Sequence, residues 1–322
     1  YKPTSLELAH ELVLKLHQTL VIVHNFGLEE LIDIGSKDSY AEGQLYEYIC
    51  SIYNGVVERK NRKILNGKEL DIYIPEKRIE IEFNGDYWHS TIFKDKKYHQ
   101  EKTIDCAKQG IRLIHIFEHE YMHNEERIKS FLKGIIADNK KVIYARNTEV
   151  KEIDSKTAQE FCELYHLQGW SNSKVCIGCY YNNELVSIMT FSKPRFDNSS
   201  EYEIIRYCIK DNISVVGGAN KLFKYFTDKY EPTSIITYSD ISKFTGNIYT
   251  KLGFKVNKIT SPNYVWVSDD LKSVFNRYQT QKHKLIENGL GTDIQTEDEI
   301  MYDLGFFKVY DSGNIKLEWR KN

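Results

Sequence analysis

Residues 69–89 read ELDIYIPEKRIEIEFNGDYWH, and this stretch decides the fold. Two apolar runs, LDIYI and IEIEF, flank the turn-forming Pro75-Glu76-Lys77-Arg78, so the segment predicts a β-hairpin with Asp71 on its first strand. Side chains alternate along a strand, which sets Glu80, Glu82 and Asn84 on one face and Ile79, Ile81 and Phe83 on the other. Carboxylates crowded at the end of a hairpin repel one another, and such a cluster suits a hard divalent cation held through oxygen. A cation there polarises a phosphate and lowers the pKa of bound water. The same alternation reads equally as a solvated strand face.

Outward from the hairpin, Asp86, Tyr87, Trp88 and His89 follow at once, then Lys94, Lys96, Lys97, His99 and Lys102. A histidine beside a metal site serves as general acid or base. Lysines offset phosphate charge, and aromatics stack on bases. Each has a plainer reading: Trp88 as core, His89 as a turn histidine, the lysines as a solvated face. Upstream, Ser39 and Glu42 fit a capping box opening a helix with a Leu45, Tyr48, Ile49, Ile52 stripe. Residues 1–36 read as a lead segment with an amphipathic helix. Downstream come a helix over 98–109 ended by Gly110, a buried strand IRLIHIF and a further helix.

The pattern changes near residue 143. A helix, TAQEFCELYH, precedes a hairpin turning at Asn182-Asn183. Strand EYEIIRYCI leads through VVGG into helix ANKLFKYFTDKY, then strand SIITYSD. A Gly-rich turn at a helix N-terminus presents N–H groups suited to phosphate, which marks Gly217, Gly218 and Ala219 as cofactor candidates. Arg195, Arg206, Tyr238, Ser239 and Asp240 fall near predicted strand ends, while Lys221 and Lys224 are placed to meet phosphates. The tail carries basic Arg277, Lys282 and Lys284, candidates for lining DNA, and a predicted closing hairpin FFKVYDSGNIKLEW.

The chain has 322 residues, 41% hydrophobic and 28% charged, an ordinary globular composition with a prior of about two domains. No apolar run is long enough to span a bilayer, so no membrane partner is expected. Tyr1 in place of Met suggests either the middle of a longer chain or a trimmed start. A net charge of −2 excludes a strongly basic nucleic-acid binder overall, though not local patches. Six scattered cysteines suit reduced thiols, and Cys176-x-x-Cys179 has no second pair to complete a zinc site.

Asp71 followed by Glu82-x-Asn84 resembles the PD-(D/E)XK nuclease core, with Asn where Lys normally stands. More narrowly, 69–89 resembles the very short patch repair endonucleases and their phage homing-endonuclease relatives, and the likeness covers about 39–135. That resemblance implies Asp71, Glu82 and the Phe83 carbonyl as metal ligands. It implies Glu42 as an organiser of metal-bound water, for which the capping box is the alternative. It implies His89 as a catalytic histidine, with Asn84 at the position of the base and Lys102 or His99 as its replacement. The second half resembles the GNAT acetyltransferase fold, particularly its phage Mom-like DNA-modifying branch. Ser214 stands where the acyl-CoA signature of that fold has Gln or Arg.

The expected fold class is α/β in two domains: a PD-(D/E)XK nuclease core over 37–142 and a GNAT-like mixed α/β domain over 143–268. A lead segment spans 1–36 and a basic helix and hairpin tail spans 269–322. The expected function is a Mg²⁺- or Mn²⁺-dependent DNA endonuclease, a cytoplasmic phage protein acting on double-stranded DNA in a bacterial host. No obligate small-molecule substrate and no acetyl-CoA are expected. Tyr87, Trp88, Lys94, Lys96 and Lys97 are expected at the DNA. The alternative is a nucleobase-modifying or acyl-CoA-dependent transferase centred on the second half, or a non-catalytic DNA-binding protein.

Overall fold

Apolar alternation and turn chemistry set most local elements where the sequence places them. A computed structural model describes residues 40–197 and 199–321. The chain divides into Tyr1–Gln44 and Leu45–Asn322. Of the first part only Tyr40–Gln44 is described, so the expected lead segment and the Ser39 cap lie outside the described residues.

Helix α1 (Tyr40–Ile52) buries Leu45 and Ile49. Strands β1 (Glu58–Leu65), β2 (Lys68–Ile74), β3 (Ile79–Asn84) and β4 (Arg112–Phe117) form a four-stranded sheet in that order. The β2–β3 connection is a short 3-10 turn at Pro75–Lys77, closed by Arg78 at φ 52°. Strand β4 runs parallel to β3, Ile79 facing Arg112 and Asn84 facing Phe117. A parallel return needs a crossover, which α2 (Tyr98–Lys108) supplies, ending ahead of Gly110 at φ 70°. Helix α3 (Glu118–Ile136) follows β4 directly and kinks at Asn124.

Strand β5 (Lys141–Tyr144) pairs in parallel with β10 (Ile213–Val216). A seven-stranded sheet takes in β6 (Glu149–Glu152), β7 (Val175–Tyr181), β8 (Glu184–Ser192), β9 (Tyr202–Ile209), β11 (Ser234–Asp240), β12 (Lys255–Ile259) and β16 (Asn314–Arg320). Its order is β12-β16-β11-β9-β8-β7-β6. Asn182 and Asn183, at φ 50° and 64°, form the β7–β8 turn, as left-handed Asn pairs do in tight hairpins. Helix α4 (Ser155–Tyr165) is capped by Asp154, whose side chain accepts from Thr157 N–H. It covers one face of the sheet around Cys176, Ile188 and Cys208. Helix α5 (Gly218–Tyr230) covers the other, with Phe226 stacked on Phe191 at 3.6 Å between ring centroids. Cys176 and Cys179 point into these two separate clusters, so they form no ligand pair.

The last segment departs from expectation. The closing hairpin does not form. Strand β15 (Phe306–Tyr310) joins β13 (Tyr264–Ser268) and β14 (Val274–Asn276) in a three-stranded sheet. Strand β16 instead inserts between β11 and β12 of the large sheet. Asp311, Ser312 and Gly313 carry the chain from one sheet to the other, and the Gly313 φ of 82° permits the change of direction. Short helices α6 (Asn247–Lys251), α7 (Lys282–Glu287) and α8 (Glu297–Asp303) complete the fold, which is mixed α/β. A separate nuclease domain is not shown.

Candidate active site

Strand β3 lies between β2 and β4, and all six of its residues are buried. That excludes a solvated strand face. Glu80 and Asn84 are 0% exposed and Glu82 is 3% exposed. Lys102, from α2, is 5% exposed and pairs with Glu82. Asp71 accepts a 3.0 Å hydrogen bond from the Phe83 N–H. Burial first, and the Glu82 charge second, push Asp71 up to about 8, against the pull of Lys102 and the Phe83 N–H. Burial, with Glu82 and Asp71 behind it, lifts Glu80 well above the carboxylate range. The cluster is therefore one buried ion pair beside two carboxyls lifted above their ordinary range. Among the described residues no group of three or more His, Cys, Asp or Glu side chains is arranged to hold a metal ion. The donor set expected for Mg²⁺ does not fit: Glu82 is committed to Lys102 in a buried ion pair. Glu42 lies in the first turn of α1, within the separate Tyr1–Gln44 part.

His89, His99 and His115 form a buried array. The His99 Nδ1–H donates to the Tyr310 carbonyl at 2.8 Å, so its Nε2 accepts from His89 Nδ1 at 2.9 Å. Asn84 Nδ2 donates to His115 Nδ1 at 3.3 Å, leaving His115 Nε2–H for Thr103 Oγ1 at 2.9 Å. Burial lowers all three, His99 to about 4. They are neutral packing partners, which removes His89 and His99 as charged acid catalysts.

The basic residues expected at DNA make local contacts of their own. Lys94 sits over the Tyr98 ring and Lys96 over Tyr310. Lys97 is exposed. Tyr87 packs with Phe93 and Phe307, and Trp88 is 59% exposed beside them. In the tail, Lys282 donates to the Asp293 carbonyl and Lys284 to that of Tyr278, while Arg277 lies over Tyr264. Lys221 donates to the Ala145 and Thr148 carbonyls, and Lys224 pairs with Asp228 on the exposed face of α5. Arg195 holds the buried carboxylate of Glu203, and Arg206 donates to the Gly169 carbonyl.

The large sheet contains a second candidate feature. Antiparallel strands β6 to β9 and antiparallel strands β11, β16 and β12 meet at one parallel pair, β9–β11. The pair holds register for three rungs, from Ile235 opposite Tyr202 to Thr237 opposite Ile204. Beyond them Tyr238–Asp240 and Ile205–Ile209 continue unpaired with each other. Strands that part at their carboxyl ends leave the crevice where open α/β sheets bind ligands. The crossover helix α5 begins at that end. Gly217 is its N-cap at φ 79°, and no acidic side chain occupies its first turn. Gly217 and Asn220 are exposed. A Cβ on Gly218 would meet Val215 Cγ1 at 2.7 Å, so that glycine serves close helix–strand packing. Ala219 is buried in the core.

Sequence reasoning missed a buried pair. Asp86, 0% exposed, accepts from His119 Nδ1 at 2.8 Å and from the His119 backbone N–H at 2.7 Å. Glu118 accepts from the Asp86 N–H at 3.1 Å. Burial alone lowers the His119 pKa, but the hydrogen bond and charge of Asp86, with Glu120, outweigh it and raise the imidazole above its ordinary range. His119 lines a cavity of about 180 Å³ with Asp240, Lys243, Asp311 and Gln168. Asp240, flagged from its place after SIITYS, is the one member that the sequence marked.

No family model matches the chain. A curated relative, Reticulocyte-binding protein homolog 1 of Plasmodium falciparum, is 21% identical over 260 residues, 79% of this chain, and the chain spans 8% of its length. Among solved structures, an acetyltransferase of Bacillus subtilis in complex with CoA aligns over 55% of this chain and 99% of its own, at 13% identity and TM-score 0.31. An IAA acetyltransferase of Bacillus cereus aligns over 54% and 99%, at 10% identity and TM-score 0.32. A GNAT family acetyltransferase of Elizabethkingia anophelis with acetyl-CoA bound aligns over 54% and 99%, at 10% identity and TM-score 0.28.

The buried Glu82–Lys102 pair and the absence of a metal-donor group among the described residues correct the nuclease reading. The resemblance to very short patch repair and homing endonucleases does not carry over to activity. DNA hydrolysis, the Mg²⁺ or Mn²⁺ cofactor and the double-stranded DNA partner are withdrawn. So is the exclusion of acetyl-CoA and of a small-molecule substrate. No helix among the described residues is long and apolar enough to cross a membrane.

Proposed function

We propose that the chain is an acyl-CoA-dependent acyltransferase centred on the β9–β11 crevice. The observation that carries this reading is the parallel pair that parts after three rungs, with the α5 N-terminus at the same end. Its support is the chain's own strand order and turn geometry. Backbone N–H groups at the start of α5, over Gly218 and Asn220, would hold the pyrophosphate, while that of Ala219 is turned to the buried Tyr207 hydroxyl. The positive end of the helix dipole favours that charge, and Gly217 supplies the left-handed turn that leaves the helix end open. Ser214, in place of a basic or amide side chain, lies in β10 opposite Val142 and adds nothing to the turn. Bound acyl-CoA supplies an activated thioester. The chain's own part is to anchor the phosphates and present the acyl group where β9 and β11 separate.

The test is calorimetric binding of acetyl-CoA to the wild type and to Asn220→Asp. An Asp in the first turn favours the helix dipole, so the variant stays folded, but its charge opposes the pyrophosphate. Binding by the wild type and a loss of about tenfold or more in Asn220→Asp are expected. No binding by the wild type, or equal binding by both, refutes the reading.

A further inference from the structure

The loop between β3 and α2 presents an apolar cluster to solvent. Trp88 is 59% exposed, Phe93 46% and Ile92 39%. The Trp88 and Phe93 rings lie 5.0 Å apart between centroids, and Tyr87 packs edge-on against both and against Phe307 of β15. The loop backbone is pinned in this position. Ser90 bridges to Val309, the Thr91 N–H donates to the Lys308 carbonyl at 2.8 Å, and the Phe93 and Lys94 N–H groups both donate to the Ser90 carbonyl. The backbone therefore holds three apolar side chains in water, which disfavours them there. A contiguous apolar patch of this kind marks a contact surface. The residues that follow are cationic. Lys94, Lys96 and Lys97 stand within four positions of Phe93, so within roughly 15 Å of it along the chain. Lys94 and Lys96 lie over the Tyr98 and Tyr310 rings, which leaves their charge in place, and Lys97 is exposed. Among the described residues none of the three pairs with a carboxylate. Asp95 is the only acid in 87–97, so this segment is positive in a chain of net charge −2.

From this pairing of apolar side chains with unpaired lysines we infer that the 87–97 loop docks the protein on the surface of a bilayer carrying anionic phospholipids. Trp88, Ile92 and Phe93 enter the boundary between headgroups and acyl chains, the depth at which Trp is enriched. The lysines stay at the headgroups, where each cation strengthens binding to a negative surface. One short loop gives weak, reversible attachment: the protein lies on the bilayer and does not cross it. The charge argues for an anionic partner over a second copy of this chain, since two such loops meeting would set lysines against lysines. The packing argues for lipid over a nucleic-acid strand. Trp88 and Phe93 close on each other, which removes the slot a base would fill, and Ile92 has no ring to stack on. The inference is independent of the acyltransferase reading.

The experiment floats the full chain with vesicles of phosphatidylcholine alone, and with vesicles of equal parts phosphatidylcholine and phosphatidylglycerol. Binding to the mixed vesicles is expected, on the order of a hundredfold stronger than to the neutral ones. It should fall as salt rises from about 0.1 M to about 1 M. The double variant Lys96→Glu, Lys97→Glu should weaken it by at least about tenfold, and so should Trp88→Ser, Phe93→Ser. All four side chains are exposed, and an unchanged urea midpoint confirms that these variants fold. A second readout starts from the wild type. Among the described residues Trp88 is the only exposed tryptophan, so lipids brominated along the acyl chain should quench its emission. Trp88→Phe should bind within about threefold and lose that quenching. No vesicle binding, or equal binding to neutral and mixed vesicles, overturns the inference. Binding without quenching overturns the insertion of the loop. Dimerisation lost in Trp88→Ser, Phe93→Ser, or oligonucleotide binding without vesicle binding, assigns the loop to another partner and overturns it as well.

Discussion

Replacing Lys102 by Met tests whether the β3 cluster is a structural ion network. Lys102 and Glu82 are 5% and 3% exposed and hydrogen-bonded to each other. Removing one partner of a buried pair leaves the other charged and desolvated, at a cost of about 3–5 kcal/mol. A domain has only about 5–15 kcal/mol in total, so Lys102→Met should lower the urea midpoint by roughly a fifth or more at pH 7. The double variant Glu82→Gln, Lys102→Met removes the stranded charge, and it should recover about 2 kcal/mol relative to the sum of the single changes. A pH series adds a signed check. Asp71 sits at about 8 in the fold against 3.8 for the free group, so the native state keeps a proton that the unfolded chain releases. Native stability therefore falls as pH rises through that window, and Asp71→Asn should flatten the fall. Circular dichroism during urea titration reads all of these. A loss under about 1 kcal/mol in Lys102→Met, or a double variant no more stable than the additive sum, would refute the reasoning.

Asp311, raised to about 6, behaves in the same sense over a narrower window. Its contribution is fully present below pH 4 and lost by pH 6, so Asp311→Asn should stabilise the fold at pH 7 by up to about 3 kcal/mol in urea unfolding, and by nothing at pH 3.5. Phe226→Ala removes the ring stacked on Phe191 and leaves a cavity in the main core, costing about 3–5 kcal/mol; a loss below 1 would place that contact outside the core. A thiol reagent should modify Cys50 in the native state, and Cys106, Cys162, Cys176, Cys179 and Cys208 only after unfolding, because those five are buried.

Local conformation was largely legible in the residues. The Asn182-Asn183 turn, the stop at Gly110, the glycine turn at Gly217 and the strands β2, β3, β7 and β8 each appear where short-range chemistry puts them. The hairpin that resembled a nuclease core formed too, and it gathered Asp71, Glu82 and Lys102. The resemblance could not supply their electrostatics. Covering both faces of β3 turned a carboxylate set into a buried ion pair beside carboxyls lifted above their ordinary range, since low dielectric disfavours every uncompensated charge.

Long-range pairing lay wholly with the tertiary structure. FFKVY and NIKLEW look like the two arms of a hairpin, yet β15 and β16 belong to different sheets. Alternation says which face a side chain takes and not which strand lies beside it. Asp86 and His119 lie far apart in sequence and carry no mutual signal, and neither do Asp240 and Asp311 on their shared cavity. The sequence by itself determined the elements, because helix period, strand alternation and turn residues act within a few positions. The fold decided partners, burial and charge state, because these depend on which distant groups packing brings together and how much water it removes.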